Sequence, residues 1–299
     1  NNLFTLCHLI YTDTFYMKRK WIRWVSWILL TPIILFVILM VLLYVPPVQN
    51  LLRREVTAYA SKATGMQIQV ERIDLRFPLN LLVRGVEVIQ QPDTLLSLES
   101  LNVRVQAWPL IKGKVEVDEV TLSRVAVNSA DLMEGMKIKG VLGRFFLQSH
   151  GVDLSNELAV INQVELSDTH VQLLMNDTTT TPKDTTASAP INWKVALHQL
   201  KLKNVSFGMQ LPADSMRMTA HIGEAAINNA QADLKNQYYD LKKFLLSGTS
   251  ASYDTGTAQP AEGFDASHIA VRDIRIALDS LLYKGRDMNA VIREFTMNE

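Results

Sequence analysis

Val115, Val117, Val120, Leu122, Val125 and Val127 are separated by steps of 2, 3, 2, 3 and 2, and so are Val195, Leu197, Leu200, Leu202, Val205 and Phe207. At about 100° per residue these positions scatter round the whole circumference of an α-helix, so the spacing excludes one. On a strand, a step of 2 keeps a side chain on its face and a step of 3 sends it to the other. A bulge in each two-residue gap, two residues opposing one on the partner strand, returns all six side chains to one face. The gaps are polar: Asp118-Glu119, Ser123-Arg124, His198-Gln199 and Lys203-Asn204. The pattern predicts strands that bend regularly while keeping one polar and one apolar face.

Weaker six-position copies occupy 159–171 and 220–232, and four-position copies start at Ile68, Tyr239 and Ile269. Unequal distances between copies exclude a fixed-period solenoid. The expected fold is mainly β, an extended, curved antiparallel sheet of bulged strands over 66–299. Further strands are expected at 82–89, 95–105 and 140–147. The Thr-rich stretch 177–190 reads as a mobile loop and 249–264 as a second interruption. The stretch 228–244 is the one helix candidate after Thr64, although it fits the strand template as well.

Upstream, 29 residues between Arg23 and Arg53 carry no charge, and about 20 apolar residues suffice to cross a bilayer as a helix. A transmembrane anchor is expected over 24–45, built on Trp24, Trp27, Leu30, Ile34, Phe36, Leu39, Leu43 and Tyr44. Lys18, Arg19, Lys20 and Arg23 precede it against Asp13 alone, which holds 1–23 in the cytoplasm and sends the rest outside. The exit Tyr44-Val45-Pro46-Pro47 lacks the small residues of a signal-peptide cleavage site. Residues 1–16 differ in character and read as upstream sequence or a short tail. After the membrane, 48–64 reads as a short amphipathic helix whose face Leu52, Val56, Tyr59 and Ala63 packs on its own domain.

The 30 basic and 30 acidic residues balance, which argues against a nucleic-acid partner. The single Cys7 permits no internal disulfide. The six His are scattered, and no metalloprotease, nucleophile-elbow or phosphate-loop motif occurs, so no catalytic residue, metal ligand or cofactor site is expected and the chain does not read as an enzyme. His170, His198, Asp118 and Glu119 read as solvent-facing.

The order of basic start, single anchor, Pro-Pro-Val-Gln-Asn-Leu-Leu-Arg-Arg-Glu-Val-Thr-Ala-Tyr-Ala over 46–60, Val-Glu-Arg-Ile-Asp-Leu-Arg-Phe-Pro over 70–78, Leu-Val-Arg-Gly-Val-Glu-Val over 82–88, Asp-Thr-Leu-Leu over 93–96 and the 115–127 strand resembles the N-terminal part of the AsmA-like proteins. It is most similar to the TamB translocation and assembly module of Bacteroidetes, closely from Met17 to about Asn128. The resemblance implies an inner-membrane-anchored periplasmic protein with a groove-like sheet that carries phospholipid acyl chains toward the outer membrane, or assists outer-membrane protein assembly and secretion with a TamA- or BamA-like barrel partner. It also implies that the chain is the opening section of a longer protein. The expected lining is Ile68, Val70, Val115, Val117, Val120, Leu122, Val125, Val127, Val195, Leu197, Leu200, Leu202, Val205 and Phe207. The alternative is a passive β-rich scaffold or tether that binds another envelope protein.

Overall fold

A computed structural model describes residues 41, 45–76, 79–90, 92–111, 116–129, 135–153, 156–175, 192–256, 263 and 265–298. The chain divides into two units, 1–51 and 52–299, and the sheet lies wholly in the second. The expected anchor falls almost entirely outside the described residues; among those described, no helix is long and apolar enough to cross a membrane.

Helix α1 (Pro46–Thr64) leads into β1 (Gln67–Arg76), β2 (Asn80–Gln90), β3 (Asp93–Val105), the short α2 (Ala107–Ile111), β4 (Val117–Asn128), β5 (Met136–Asp153), β6 (Leu158–Met175), β7 (Lys194–Leu211), β8 (Met216–Asp233), β9 (Tyr238–Thr255), β10 (His268–Lys284) and β11 (Asp287–Asn298). The eleven strands form one open, curved sheet in sequence order. Apart from isolated contacts, each strand packs only against its sheet neighbours. No large side chain among the described residues is fully buried, so these residues form no closed core. The candidate helix at 228–244 is instead a β8–turn–β9 hairpin, and β9 runs on to Thr255 through the first part of the expected interruption.

Helix α1 begins at Pro46, two residues before the expected start, with prolines where a helix has no use for their missing N–H. It ends at Thr64, followed by Gly65 at φ +70°. Its expected packing face is a correction. Val56 and Tyr59 are 46% and 77% exposed, and Ala63 is exposed too. The contacts come from polar side chains: Arg53 Nη1 donates to the Glu71 carbonyl at 2.7 Å, and Ser61 Oγ accepts from the Ile68 N–H at 3.1 Å. β1 is an edge strand, whose outward backbone groups need polar partners more than an apolar face.

Nine of the ten strand pairs are antiparallel, as expected; β6 and β7 run parallel. This corrects the all-antiparallel expectation, and chain geometry explains it. Parallel neighbours need a connection that retraces a strand. At up to about 3.5 Å per residue, the 176–193 connection can retrace strands of 18 residues.

The bulges also differ from expectation in how they pair. At most crossings extra residues face each other across neighbouring strands, while the expected two-against-one bulge occurs at Asp118 opposite the Arg104–Val105 step, at Asn162 opposite the Gln148–Ser149 step and between β9 and β10. Between β4 and β5, for example, Ser123 pairs Arg144 and Val125 pairs Leu142, which leaves Arg124 and Gly143 both out of register. The skipped positions line up as a crease: Glu71, Gly85, Glu99, Arg124, Gly143, Asp168, Asn204, Gly223, Gly248 and Asp273. Gly85, Arg124, Asp168, Asn204, Gly248 and Asp273 take positive φ of 46–59°. All ten crease positions are polar or Gly. Their side chains meet one another: Arg124 pairs with Glu99, and Asn204 Nδ2 donates to Asp168 Oδ1 at 2.8 Å. A second crease runs through Asn162, His198, Asn229 and Lys242. Since both partners gain a residue together, the apolar side chains keep one face on either side.

Candidate functional site: the apolar strand face

Residues directly opposite one another on paired strands point to the same face, so the register shows what the strand template builds. One level reads Ile73, Val83, Leu101, Leu122, Phe145, Leu166, Leu202, Ala225, Leu246, Ile276 and Phe295, one residue from each strand. The next reads Leu75, Leu81, Val103, Val120, Leu147, Val164, Leu200, Ile227, Phe244, Leu278 and Ile292. Neither row contains a polar residue. Ten interstrand intervals of about 4.8 Å make each roughly 48 Å long.

The expected lining residues fall into these rows and their neighbours. Leu122 and Leu202 belong to the first row, Val120 and Leu200 to the second. Val70, Val125 and Val205 share the level of Val86, Leu98, Leu142 and Thr169. Ile68, Val127 and Phe207 share that of Val88, Leu96, Gly140 and Val171. Leu197 lies between Ile161 and Ala230, and Val195 between Ala159 and Ala232. Val117 pairs with Val105 at the start of β4. Val115 lies outside the described residues.

The expected lining names only Leu122 and Leu202 of the first row and Val120 and Leu200 of the second, although the weaker copies of the template already carry Ile73, Leu166, Ala225, Leu246 and Ile276. Phe145 and Leu147 come from a strand, expected at 140–147, in which no template positions were read. The available signal was the level itself: every strand supplies an apolar residue on each side of its polar gap.

The rows are half-buried, with only Ile73 and Ala225 below a tenth exposed, and they open at the β11 edge, where Ile292 and Phe295 are 61% and 57% exposed. Their cover is one another's flanks. The opposite face is charged, with cations set against carboxylates: Lys194 Nζ lies 3.7 Å from Asp233 Oδ2, Lys201 Nζ 4.0 Å from Glu165 Oε1 and Lys242 Nζ 2.8 Å from Asp240 Oδ2. The Asp240 hydrogen bond and charge raise the Lys242 pKa above its ordinary value. Hydrogen bonds from the Asn236 side chain and N–H hold the Asp233 carboxyl below its usual value, with Lys194 adding to this.

His170 and His198 are exposed on the polar side, as expected, and His198 sits in the second crease. Asp118 and Glu119 are half-buried and not simply solvated: Asp118 accepts from Gln106 Nε2, and Glu119 Oε2 lies 3.1 Å from Arg104 Nη1. Among the described residues no group of three or more His, Cys, Asp or Glu converges on a metal-sized space.

The arrangement therefore offers long apolar contact with no directional polar group in either row. Burying a CH₂ is worth about 0.8 kcal/mol, and such contacts are nearly alike from strand to strand. No family model matches this chain, and no curated protein matches its sequence.

Proposed function

We propose that the chain is an inner-membrane-anchored periplasmic envelope-biogenesis factor of the AsmA-like, TamB kind. In this reading the apolar face forms a groove along which phospholipid acyl chains move toward the outer membrane, or along which outer-membrane proteins are assembled with a barrel partner. The carrying observation is the pair of uninterrupted apolar rows, eleven strands long, with no second layer over them among the described residues. A sheet face of that length is ordinarily covered by another element; an acyl chain supplies the same cover. Near-equal contact energies at successive levels also let a chain slide without a deep trap.

The test places a photoreactive amino acid at Leu202, in the first row, or at Lys203, its exposed neighbour on β7. Irradiation of the full chain in its native membrane and mass spectrometry of the adducts should recover phospholipid from position 202 and not from 203. Equal labelling at both positions, or none at either, overturns the reading.

A further inference from the structure

The opposite face carries one place built unlike its surroundings. Gln172, Gly208 and Thr219 follow one another across β6, β7 and β8, with Lys139 opposite Gln172 on β5. The level on one side brings His170, Ser206 and His221 together, and the level on the other brings Leu174, Gln210 and Arg217. At the centre, Gly208 contributes no side chain. A Cβ built there would meet only Gln172 Cγ, at 3.8 Å, so the strand leaves a dip bordered on this face by polar side chains and by Leu174. A Gly inside a strand commonly marks close approach by another group.

The dip is the floor of a cavity of about 440 Å³, within the usual range of small-molecule sites. Its walls are set by contacts between side chains: Gln172 Nε2 lies 3.1 Å from His170 Nε2, and Ser206 Oγ 2.9 Å from His221 Nδ1. Lys139 and Arg217 line it, and among the described residues no carboxylate does. Elsewhere on this face Lys194, Lys201 and Lys242 each have an acidic partner. The acid nearest in register is Asp254, opposite Arg217 on β9, and its carboxylate lies 3.1 Å from His268 Nε2.

We propose that this cavity binds a phosphate group carried on a small organic moiety, a phosphate monoester or diester. Lys139 and Arg217 supply charge from opposite sides, Gln210 and Thr219 supply neutral donors between them, and such a spread suits a tetrahedral oxyanion. The volume exceeds one phosphate and leaves room for its ester. The site lies on the other face from the apolar rows, so its failure leaves the acyl-chain reading untouched.

The experiment uses the full chain in phosphate-free detergent micelles at fixed ionic strength, titrated calorimetrically with inorganic phosphate and with glycerol 3-phosphate. Saturable binding is expected, tighter for the ester. Lys139→Gln and Arg217→Gln should each weaken it about tenfold, the scale of one charge-assisted hydrogen bond. Lys203→Gln, on the same strand as Gly208 but outside the cavity, should leave it unchanged. Gly208→Leu fills the floor and should abolish binding; if that variant misfolds, the two charge variants carry the test. Competition by phosphatidylglycerol vesicles assigns a lipid headgroup as the source, and its absence assigns a soluble ester. No saturable binding of either probe overturns the proposal, as does equal weakening by Lys203→Gln, which would reveal attraction to charge in general.

Discussion

The crease demands particular residues because two backbones approach where both gain a residue. A Cβ added to Gly143 would lie 2.7 Å from Asp168 Cβ and 2.9 Å from its carbonyl oxygen, and one added to Gly223 would lie 2.8 Å from the Gly248 carbonyl. Backbone atoms cannot yield as a long side chain can. Gly143→Ala is therefore expected to cost about 1–3 kcal/mol, read as a lower thermal midpoint. Gly208→Ala, with open space above it, should leave the midpoint unchanged or raise it. At the β8–β9 turn, Asp233 Oδ2 accepts from Asn236 Nδ2 at 2.8 Å and Oδ1 from the Asn236 N–H at 3.1 Å, bonds that favour the ionised carboxyl. Its native pKa is lowered, so its contribution is present above the ordinary Asp range and is lost as pH falls through the native value. An NMR titration should place the Asp233 midpoint below about 3.9, and Asn236→Ala should move it back up.

At the scale of elements, the strand template was legible because an apolar step pattern of 2 and 3 has one structural solution that keeps a single face. The polar gaps Ser123-Arg124, His198-Gln199 and Lys203-Asn204 mark crease positions, whereas Asp118-Glu119 marks a single bulge. That the gap residues of neighbouring strands would oppose each other was not legible, because a single strand carries no information about its partner's register. The parallel β6–β7 pair did leave a trace: Ala159 pairs Val195, Val164 pairs Leu200 and Val171 pairs Phe207, so two copies at constant offset with a long polar connection between them spell parallel pairing. If the connection sets that topology, deleting 178–189 leaves too few residues to retrace the strand. Cysteines introduced at Val160 and Ala196, register partners across the pair, should then crosslink in the otherwise intact chain and fail to do so in the deletion. Helix α1 is legible as a helix, but its stripe of Val56, Tyr59 and Ala63 predicts a packing face only where there is a core to meet it, and an open sheet offers none. Val56→Glu and Tyr59→Ser, at exposed positions, should therefore each shift stability by no more than about 0.5 kcal/mol. Loss of the Arg53 and Ser61 contacts should instead loosen the β1 edge, seen as faster hydrogen exchange at Ile68.

At the scale of the molecule, a sheet in which strands contact only their neighbours has no central core to make unfolding all-or-none. Its stability is closer to a sum of strand terms and nearest-neighbour interface terms, as in repeat proteins. Strands at the ends then open at lower cost than strands in the middle, each end strand holding one interface and each inner strand two. β11 is the extreme case, exposed along its whole length, with Met288, Val291, Ile292, Phe295 and Met297 all more than half exposed. Hydrogen exchange should therefore form a gradient: amides of β11 exchange first, those of β6 to β8 last, with β1 slower than β11 because α1 covers part of its edge. A charge at mid-sheet separates this picture from a closed sandwich. Leu166→Glu sits in the first apolar row at a half-buried position, and with no second layer over it among the described residues the glutamate can turn outward and reach water. Exchange should speed up in β5 to β7 and remain unchanged in β1, β2, β10 and β11. In a closed sandwich the same buried charge would unfold the whole domain, and every strand would lose protection together.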